Sequence, residues 1–409
     1  MLTPRGVSLS LTGAVMWGAA RLIGSPGVEV VALGLIALPF LAGMAIRHGR
    51  RDIVVRRHLS NARIRPGQRL TVSLHLRNLS PSAAPLLLLE DLLPPALGRA
   101  ARLVVSDLRG HTDRTVSYSA LPQARGRYAV GPATLDTTDP FGLARVRVRM
   151  DDRDELIVTP EVEDLSASPD ATVGMSVGAA RARQLLRTGE DYYTMRAYQQ
   201  GDDLRRIHWP SVARTGELMI RQDEATKRAA GVLFVDNREA ALGPAYGAAF
   251  ERAISSAASV AAMLDQAGFT LRLASSDTPA APLAGERILD ALAGMVHTRI
   301  PSLATALGHA RSAASSDSSL IFVGAPPAAQ EVPSLLRAGT GFGAKLAIFV
   351  HPVEPAAAPA SRREQLLSRA TQASMAASRA GWDCIVLSPS TRLSERWHVP
   401  TQRRLAFNA

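Results

Sequence analysis

"AGVLFVD", residues 230–236, is a run of apolar residues that stops on an acid. A short apolar run bounded by polar residues reads as a buried strand. Downstream, Tyr246–Gln266 reads as a long helix, and "FTLRLAS" (269–275), "SSLIFVG" (318–324), "KLAIFV" (345–350) and "WDCIVLS" (382–388) read as further strands with helical stretches between them. Strands alternating with helices predict a doubly wound parallel sheet, an α/β domain over residues 229–390 with a tail at 391–409. Folds of this kind bind ligands at the carboxyl ends of their strands, so Asp236 is the first position to inspect. "GTGFGAKL" (339–346) has the look of a phosphate loop, but Ala344 precedes Lys345, Leu346 follows it, and a strand comes next. A phosphate loop needs Gly before the Lys, Ser or Thr after it, and then a helix.

Upstream the pattern changes. "RLTVSLHLRN" (69–78), "ARLVVSD" (101–107), "DRTVSYSAL" (113–121), "GRYAVGPATL" (126–135) and "ARVRVRM" (144–150) alternate with a period of two. Several short strands broken by Pro and Gly predict a β-sandwich of the immunoglobulin kind over residues 49–162. His75 and His111 fall within or beside strands and read as surface or packing residues. "DPFGL" (139–143) reads as a turn, with Phe141 plugging the core. A polar linker with a short helix follows at 163–187. It contains "GMSVG" (174–178), which has the spacing of a nucleophile elbow around Ser176 but lacks the buried strand that presents such a serine.

The first 48 residues hold two apolar segments, Val7–Ile23 and Val28–Ile46, either side of "GSPG". A helix needs about 20 residues to cross a bilayer. The expectation is a transmembrane helical hairpin closed by Ser25, Pro26 and Gly27, with Arg21 reaching from a helix end to the interface. Arg5 precedes the hairpin, and Arg47, Arg50, Arg51, Arg56 and Arg57 follow it. Basic flanks stay inside, which predicts a multi-pass protein of the cell membrane with its soluble domains in the cytoplasm.

The formal net charge is +11, and nearly all of the positive charge is arginine, the only lysines being Lys227 and Lys345. Basic residues alternate with acids along the chain and match no nucleic-acid-binding module, so a nucleic-acid partner is not expected. The one cysteine, Cys384, excludes an internal disulfide and a multi-cysteine zinc site. Its apolar neighbours predict a buried structural thiol.

The densest polar stretch lies at 188–228: "GEDYYTMRAYQQGDDLRRIHWPSVARTGELMIRQDE" (189–224). Gly201 allows a tight turn, and Asp202 or Asp203 can cap a helix through Leu204–Trp209. Arg196, Arg205 and Arg214 are then within reach of Glu190 and the two aspartates, as guanidinium–carboxylate pairs. "ELMIRQDE" reads as a strand on the edge of the α/β sheet, with Ile207 and Trp209 as its apolar anchors. The whole set, with Tyr198 and His208, reads as a structural or partner-docking signature. A hydrolase would use Asp203 as base and His208 as acid, but no nucleophile or metal accompanies them, and a capped, arginine-paired carboxylate has its pKa lowered rather than tuned to neutrality.

This stretch resembles the signature of the domain of unknown function 58 family in the order and spacing of Gly189, Glu190, Arg196, Tyr198, Gly201, Asp202, Asp203, Arg205, Ile207, Trp209, Ala213, Arg214 and Leu218. Pro210 departs from it, standing where a polar or basic residue is expected. The resemblance implies the membrane hairpin, the β-rich segment with "DPFGL", and a von Willebrand factor A-like C-terminal domain. Such domains often carry a DxSxS metal motif after their first strand. Here the positions read Asp236, Arg238 and Ala240, with Gly324 where a later aspartate often stands, so no metal and no cofactor are expected. The resemblance further implies a bacterial, non-enzymatic membrane protein that binds other proteins and works with a MoxR-type AAA+ ATPase in a chaperone-like or assembly role.

Overall fold

The computed structural model describes residues 2–49, 53–81, 83–84, 86–139, 141–165, 193–199, 207–223, 230–316 and 318–397. The chain divides into two compact units, Met1–Thr159 and Pro160–Ala409.

The first unit begins with helices α1 (Pro4–Ile23) and α2 (Pro26–Gly49), both long and apolar enough to cross a membrane. Gly13 lets them approach closely: a Cβ there would meet Ala32, Leu35 and Ile36 at about 3 Å. Leu22, Ile23, Val15 and Val30 on their outer faces are exposed. The connection is shorter than expected. Gly24 ends α1 in the left-handed region (φ 73°), and Pro26 and Gly27 already belong to α2, because proline's fixed φ suits a first helical turn. At the turn Arg21 lies over the Trp17 ring and 3.9 Å from Glu29.

Strands β1 (Ile53–Leu59), β2 (Arg63–Ile64), β3 (Leu70–Asn78), β4 (Leu87–Asp91), β5 (Ala101–Val105), β6 (Asp113–Ala120), β7 (Gly126–Val130), β8 (Ala133–Thr138), β9 (Arg145–Met150) and β10 (Asp154–Val158) make this unit β-rich. They form three sheets, in the orders β1-β3-β6, β2-β10-β7 and β5-β4-β8-β9. The period-two pattern is realised: in β3, Leu70, Val72, Leu74 and Leu76 point inward while Thr71, His75 and Arg77 face out. Leu74 and Leu76 share a core with Leu87, Leu89, Val105 and Leu135 from the four-stranded sheet. Leu70 and Val72 share another with Val130, Leu156 and Val158.

Two side chains overturn the sequence reading here. Phe141 does not plug the core; it is 72% exposed. Asp139 is buried in that turn instead, accepting hydrogen bonds from the Ala144 and Phe141 amides at 2.6 and 3.0 Å. Arg57 is not a free flanking charge. It is buried in a bidentate pair with the Asp91 carboxylate (2.6 and 3.0 Å), reaches Asp154 at 3.1 Å, and shares Asp91 with the Tyr118 hydroxyl at 2.7 Å. Burial and the Asp91 carboxylate push the Tyr118 phenol far above its ordinary range.

The second unit is a mixed α/β sheet with helices. Its strands are β13 (Ala230–Val235), β14 (Thr270–Ser275), β15 (Ala281–Leu283), β16 (Ser318–Gly324), β17 (Ala344–Val350) and β18 (Asp383–Leu387), ordered β15-β14-β13-β16-β17-β18. All pair in parallel except β15, which runs antiparallel to β14. Leu233 and Val235 pack to one side, against the helix Ala248–Gln266. Val232 and Phe234 pack to the other, where the Phe234 and Phe322 rings stack at 5.8 Å. Cys384 is buried in the second of these cores. β17 follows "GTGFG", as the phosphate-loop argument required. The helix expected from Tyr246 starts at Ala248, since Tyr246 has φ 65°. The unit runs past residue 390: the helix Leu393–Trp397 returns Leu393 and Trp397 to the first core, fully buried. "GMSVG" and the rest of the linker lie outside the described residues.

Candidate functional site

The carboxyl end of β13 lies beside that of β16, where the strand order reverses direction. Sheets of this build place ligands at this point. Asp236 follows β13, its amide donating to Val323 O at 2.8 Å, and its side chain is 1% exposed. Gly324, at the end of β16, is not a vacated acid position. A Cβ there would lie 2.6 Å from the Asp236 Cβ and 2.9 Å from the Phe322 ring, so glycine makes the room Asp236 occupies.

Arg238 turns back on Asp236. Its Nε donates to Oδ1 at 2.8 Å and its Nη2 to Oδ2 at 2.9 Å, a fork geometry that engages both carboxylate oxygens. Nη1 donates to Glu331 Oε1 at 2.9 Å and to Pro301 O at 3.3 Å. Ser276 Oγ adds a 3.1 Å bond to Asp236 Oδ1. Burial alone would lower the Arg238 pKa, but Asp236 and Glu331 outweigh it and hold the guanidinium charged. Burial likewise opposes Glu331, yet Arg238, the Ala328 amide and Arg369 keep its carboxyl below the usual range. Ala240 is exposed on the short helix Glu239–Leu242 and adds nothing to the cluster. The sequence motif located Asp236 and Arg238. Glu331 was missed, because only the fold brings an acid 93 residues away to the same guanidinium.

Beside this cluster, Asn237 bridges the ends of β13 and β14. It accepts from the Ser276 amide at 3.0 Å and donates to Val296 O at 2.9 Å and Asp277 Oδ1 at 3.2 Å. A small cavity of about 270 Å³ opens there, lined by Asn237, Ser275, Asp277, Thr278 and Met295. At the end of β17, His351 is 3% exposed and its Nδ1 has no hydrogen-bond partner among the described residues. Burial lowers its pKa, with Glu354 pulling weakly the other way. Among the described residues no three His, Cys, Asp or Glu side chains gather to hold a metal ion.

The signature stretch differs from its sequence reading. β11 (Tyr193–Ala197) and β12 (Met219–Asp223) pair antiparallel as a two-stranded ribbon of their own, so "ELMIRQDE" does not extend the six-stranded sheet. Ile207 makes an isolated bridge to Ile220, and the Tyr198 amide donates to Leu218 O at 2.8 Å. Among the described residues the helix is Trp209–Thr215; residues 204–206 of the expected one lie outside them, and Ile207 and His208 are not helical. Pro210 is compatible with this start, since in the first helical turn its missing N–H costs no hydrogen bond. Trp209 is 66% exposed and anchors nothing among the described residues; Arg214 is exposed in the last turn. His208 sits at the N-cap position with its Nδ1 2.9 Å from Ser211 Oγ, a contact the sequence reading did not anticipate. Glu190, Gly201, Asp202, Asp203 and Arg205, and the Arg196 side chain, lie outside the described residues, so their expected ion pairs find no counterpart in this description.

The model of a family described as "Protein of unknown function DUF58" matches residues 194–301, from β11 through β13, the long helix, β14 and β15 to just past the helix Glu286–Ala293. No curated protein matches the chain. Matching solved structures include the CARDB domain of a Pyrococcus furiosus protein, 15% identical over 26% of this chain and 92% of that one with a TM-score of 0.20. The alkylpurine DNA glycosylase AlkC of Pseudomonas fluorescens is 14% identical over 30% of this chain and 38% of its own, with a TM-score of 0.16. The ApaA protein of Bordetella pertussis is 12% identical over 26% and 91%, with a TM-score of 0.19.

Proposed function

We propose that this chain is a membrane-anchored, non-enzymatic docking and assembly protein whose soluble units lie in the cytoplasm. The observation that carries the proposal is the closed Asp236–Arg238–Glu331 cluster at the switch point of the sheet. A guanidinium held in a fork consumes the oxygens that would ligate an ion or take up a proton. Counted within the unit, the strand order is 3-2-1-4-5-6 with an antiparallel edge strand, which supports the von Willebrand A-like reading with a degenerate metal motif. The antiparallel strands sharing one core in the first unit support the immunoglobulin-like reading. The MoxR-type AAA+ partner is supported by the sequence resemblance of residues 189–224. The decisive measurement is ATP hydrolysis by that ATPase with and without the full-length protein in nanodiscs. Stimulation or inhibition that saturates supports the partnership, and an unchanged rate with no co-elution rejects it.

One contact favours a second reading. Ser211 Oγ against His208 Nδ1 is the first half of a nucleophile–base arrangement, and would make the chain a hydrolase using His208 with Asp203. The two residues are three apart at a helix start, where such a bond also forms simply to order the first turn. Purified full-length protein assayed on esters, phosphodiesters and peptides separates the two readings. Turnover abolished by both His208→Ala and Ser211→Ala would favour the hydrolase.

A further inference from the structure

The turn Asp139–Leu143 is tied to the start of the helical hairpin. The Thr3 amide donates to Leu143 O at 2.9 Å, its hydroxyl reaches Gly142 O at 2.5 Å, and Leu2 bridges to Ala144. Gly6, in the first turn of α1, is pressed so close that a Cβ would lie 2.1 Å from Leu143 O. The last turns of α2 meet the same strand start. A Cβ on Gly43 would lie 3.6 Å from the Ala144 Cβ, and Ile46 shares a small core with Ala144 and Val146. Both outer ends of the hairpin are therefore fixed to residues 143–146. Asp139 in turn fixes the loop that projects from them, through its bonds to the Phe141 and Ala144 amides.

The height of that loop follows from helix geometry. From Pro26 to Gly43, α2 rises about 27 Å at about 1.5 Å per residue, close to the ~30 Å thickness of a bilayer's hydrocarbon core. Ala144 thus lies near the edge of the hydrocarbon if the hairpin spans, and Phe141 lies three residues before it. Phe141 is 72% exposed, and the exposed Arg5 side chain passes over Gly142 beside it. An aromatic ring and a guanidinium projecting together are the chemistry of an interfacial anchor, the ring entering the acyl boundary and the cation meeting anionic headgroups.

We infer that Phe141 and Arg5 form a second membrane contact, in which the β8–β9 turn dips into the headgroup layer beside the hairpin. The inference rests on the spanning reading of α1 and α2. It gives the exposed ring an occupant, the lipid interface, and makes the first unit a body seated on the membrane rather than hung from a tether.

The test uses the full chain in Cys384→Ala background, since Cys384 is the only cysteine and is buried. Phe141→Cys and, separately, Val31→Cys on the exposed face of α2 carry an environment-sensitive bimane label. Each protein is reconstituted into phosphatidylcholine–phosphatidylglycerol vesicles with bromine near the headgroup, near the chain ends, or absent. The expected result is loss of emission at Phe141→Cys with shallow bromine only, and at Val31→Cys with deep bromine. Arg5→Gln should weaken the shallow quenching in vesicles rich in phosphatidylglycerol. Quenching at Val31→Cys with none at Phe141→Cys overturns the inference while leaving the spanning reading intact. It does so whether that label is open to aqueous iodide or shielded by protein. Absence of quenching at Val31→Cys overturns the spanning reading and the inference with it.

Discussion

Arg238 is 4% exposed and Asp236 1%, so neither charge has water to fall back on. Removing one partner of a buried pair leaves the other uncompensated, at a cost of about 3–5 kcal/mol. Arg238→Ala is expected to lower the melting temperature of the second unit clearly. Asp236→Asn combined with Arg238→Met should cost less than the sum of the single changes, because the pair is shared. Thermal melts of the parent, Arg238→Ala, the two single changes of the pair and the double variant check this. While Arg238 is in place, Mg²⁺ is expected to leave the parent's melting temperature unchanged, since an ion that bound only the native state would raise it by mass action. A saturable shift reversed by EDTA would mean that other oxygens complete a site. His351 sets a pH dependence. Burial depresses its folded pKa below the ordinary value of about 6.5. The unfolded chain therefore takes up the proton first as pH falls. The stability His351 contributes is full above about 6.5 and is lost as pH falls through the depressed folded value. Denaturant midpoints across this range should fall toward acid in the parent, and less steeply in His351→Gln.

Among the elements, the β8–β9 turn shows what sequence reading gains and misses. The alternation of "ARVRVRM" located β9 correctly, because period-two burial is a local property: Val146 is buried while Arg145, Arg147 and Arg149 face out. The fate of Asp139 and Phe141 in the adjoining turn is not local. The buried carboxylate and the exposed ring follow from backbone amides of residues 141 and 144 and from the helix start docked on Leu143. Arg57 follows the same rule, since its carboxylate partners come from β4 and β10, and Tyr118 of β6 joins through Asp91, by pairing that no spacing announces. The helix of the signature was mistaken for a different reason. Acids at 202 and 203, which lie outside the described residues, were read as the cap of a helix ending at Trp209, whereas the described helix begins there, with Pro210 in its first turn where a missing N–H costs nothing. Asp139→Ala removes the acceptor of the buried Ala144 amide and the part-buried Phe141 amide, which should cost about 2 kcal/mol. Faster hydrogen exchange at Ala144, with the α/β unit unchanged, is the expected sign.

At the scale of the whole molecule, the described cores and ion-pair networks each belong to one unit. Leu74, Leu87 and Leu135 pack within the first, with the Arg57–Asp91–Tyr118 network among their strands. Leu233, Ile321 and Trp397 pack within the second, whose sheet carries the Arg238 cluster. The sequence shows a β-rich part and an α/β part because period two and βαβ alternation are each written continuously along it. It ended the second part too soon, since nothing local marks Trp397 as core. A unit with its own core melts cooperatively by itself, and a chain with two such units need not show a single transition. Calorimetry of the full chain in detergent micelles is therefore expected to resolve two transitions. Asp91→Ala strands the buried Arg57 guanidinium, 3% exposed, and should lower only the transition of the first unit, by about 3–5 kcal/mol of stability. Arg238→Ala should lower only the other. If either substitution moved both transitions together, the two units would be one cooperative body, and the partner surface would have to be sought across the whole molecule rather than at the strand ends of the α/β unit.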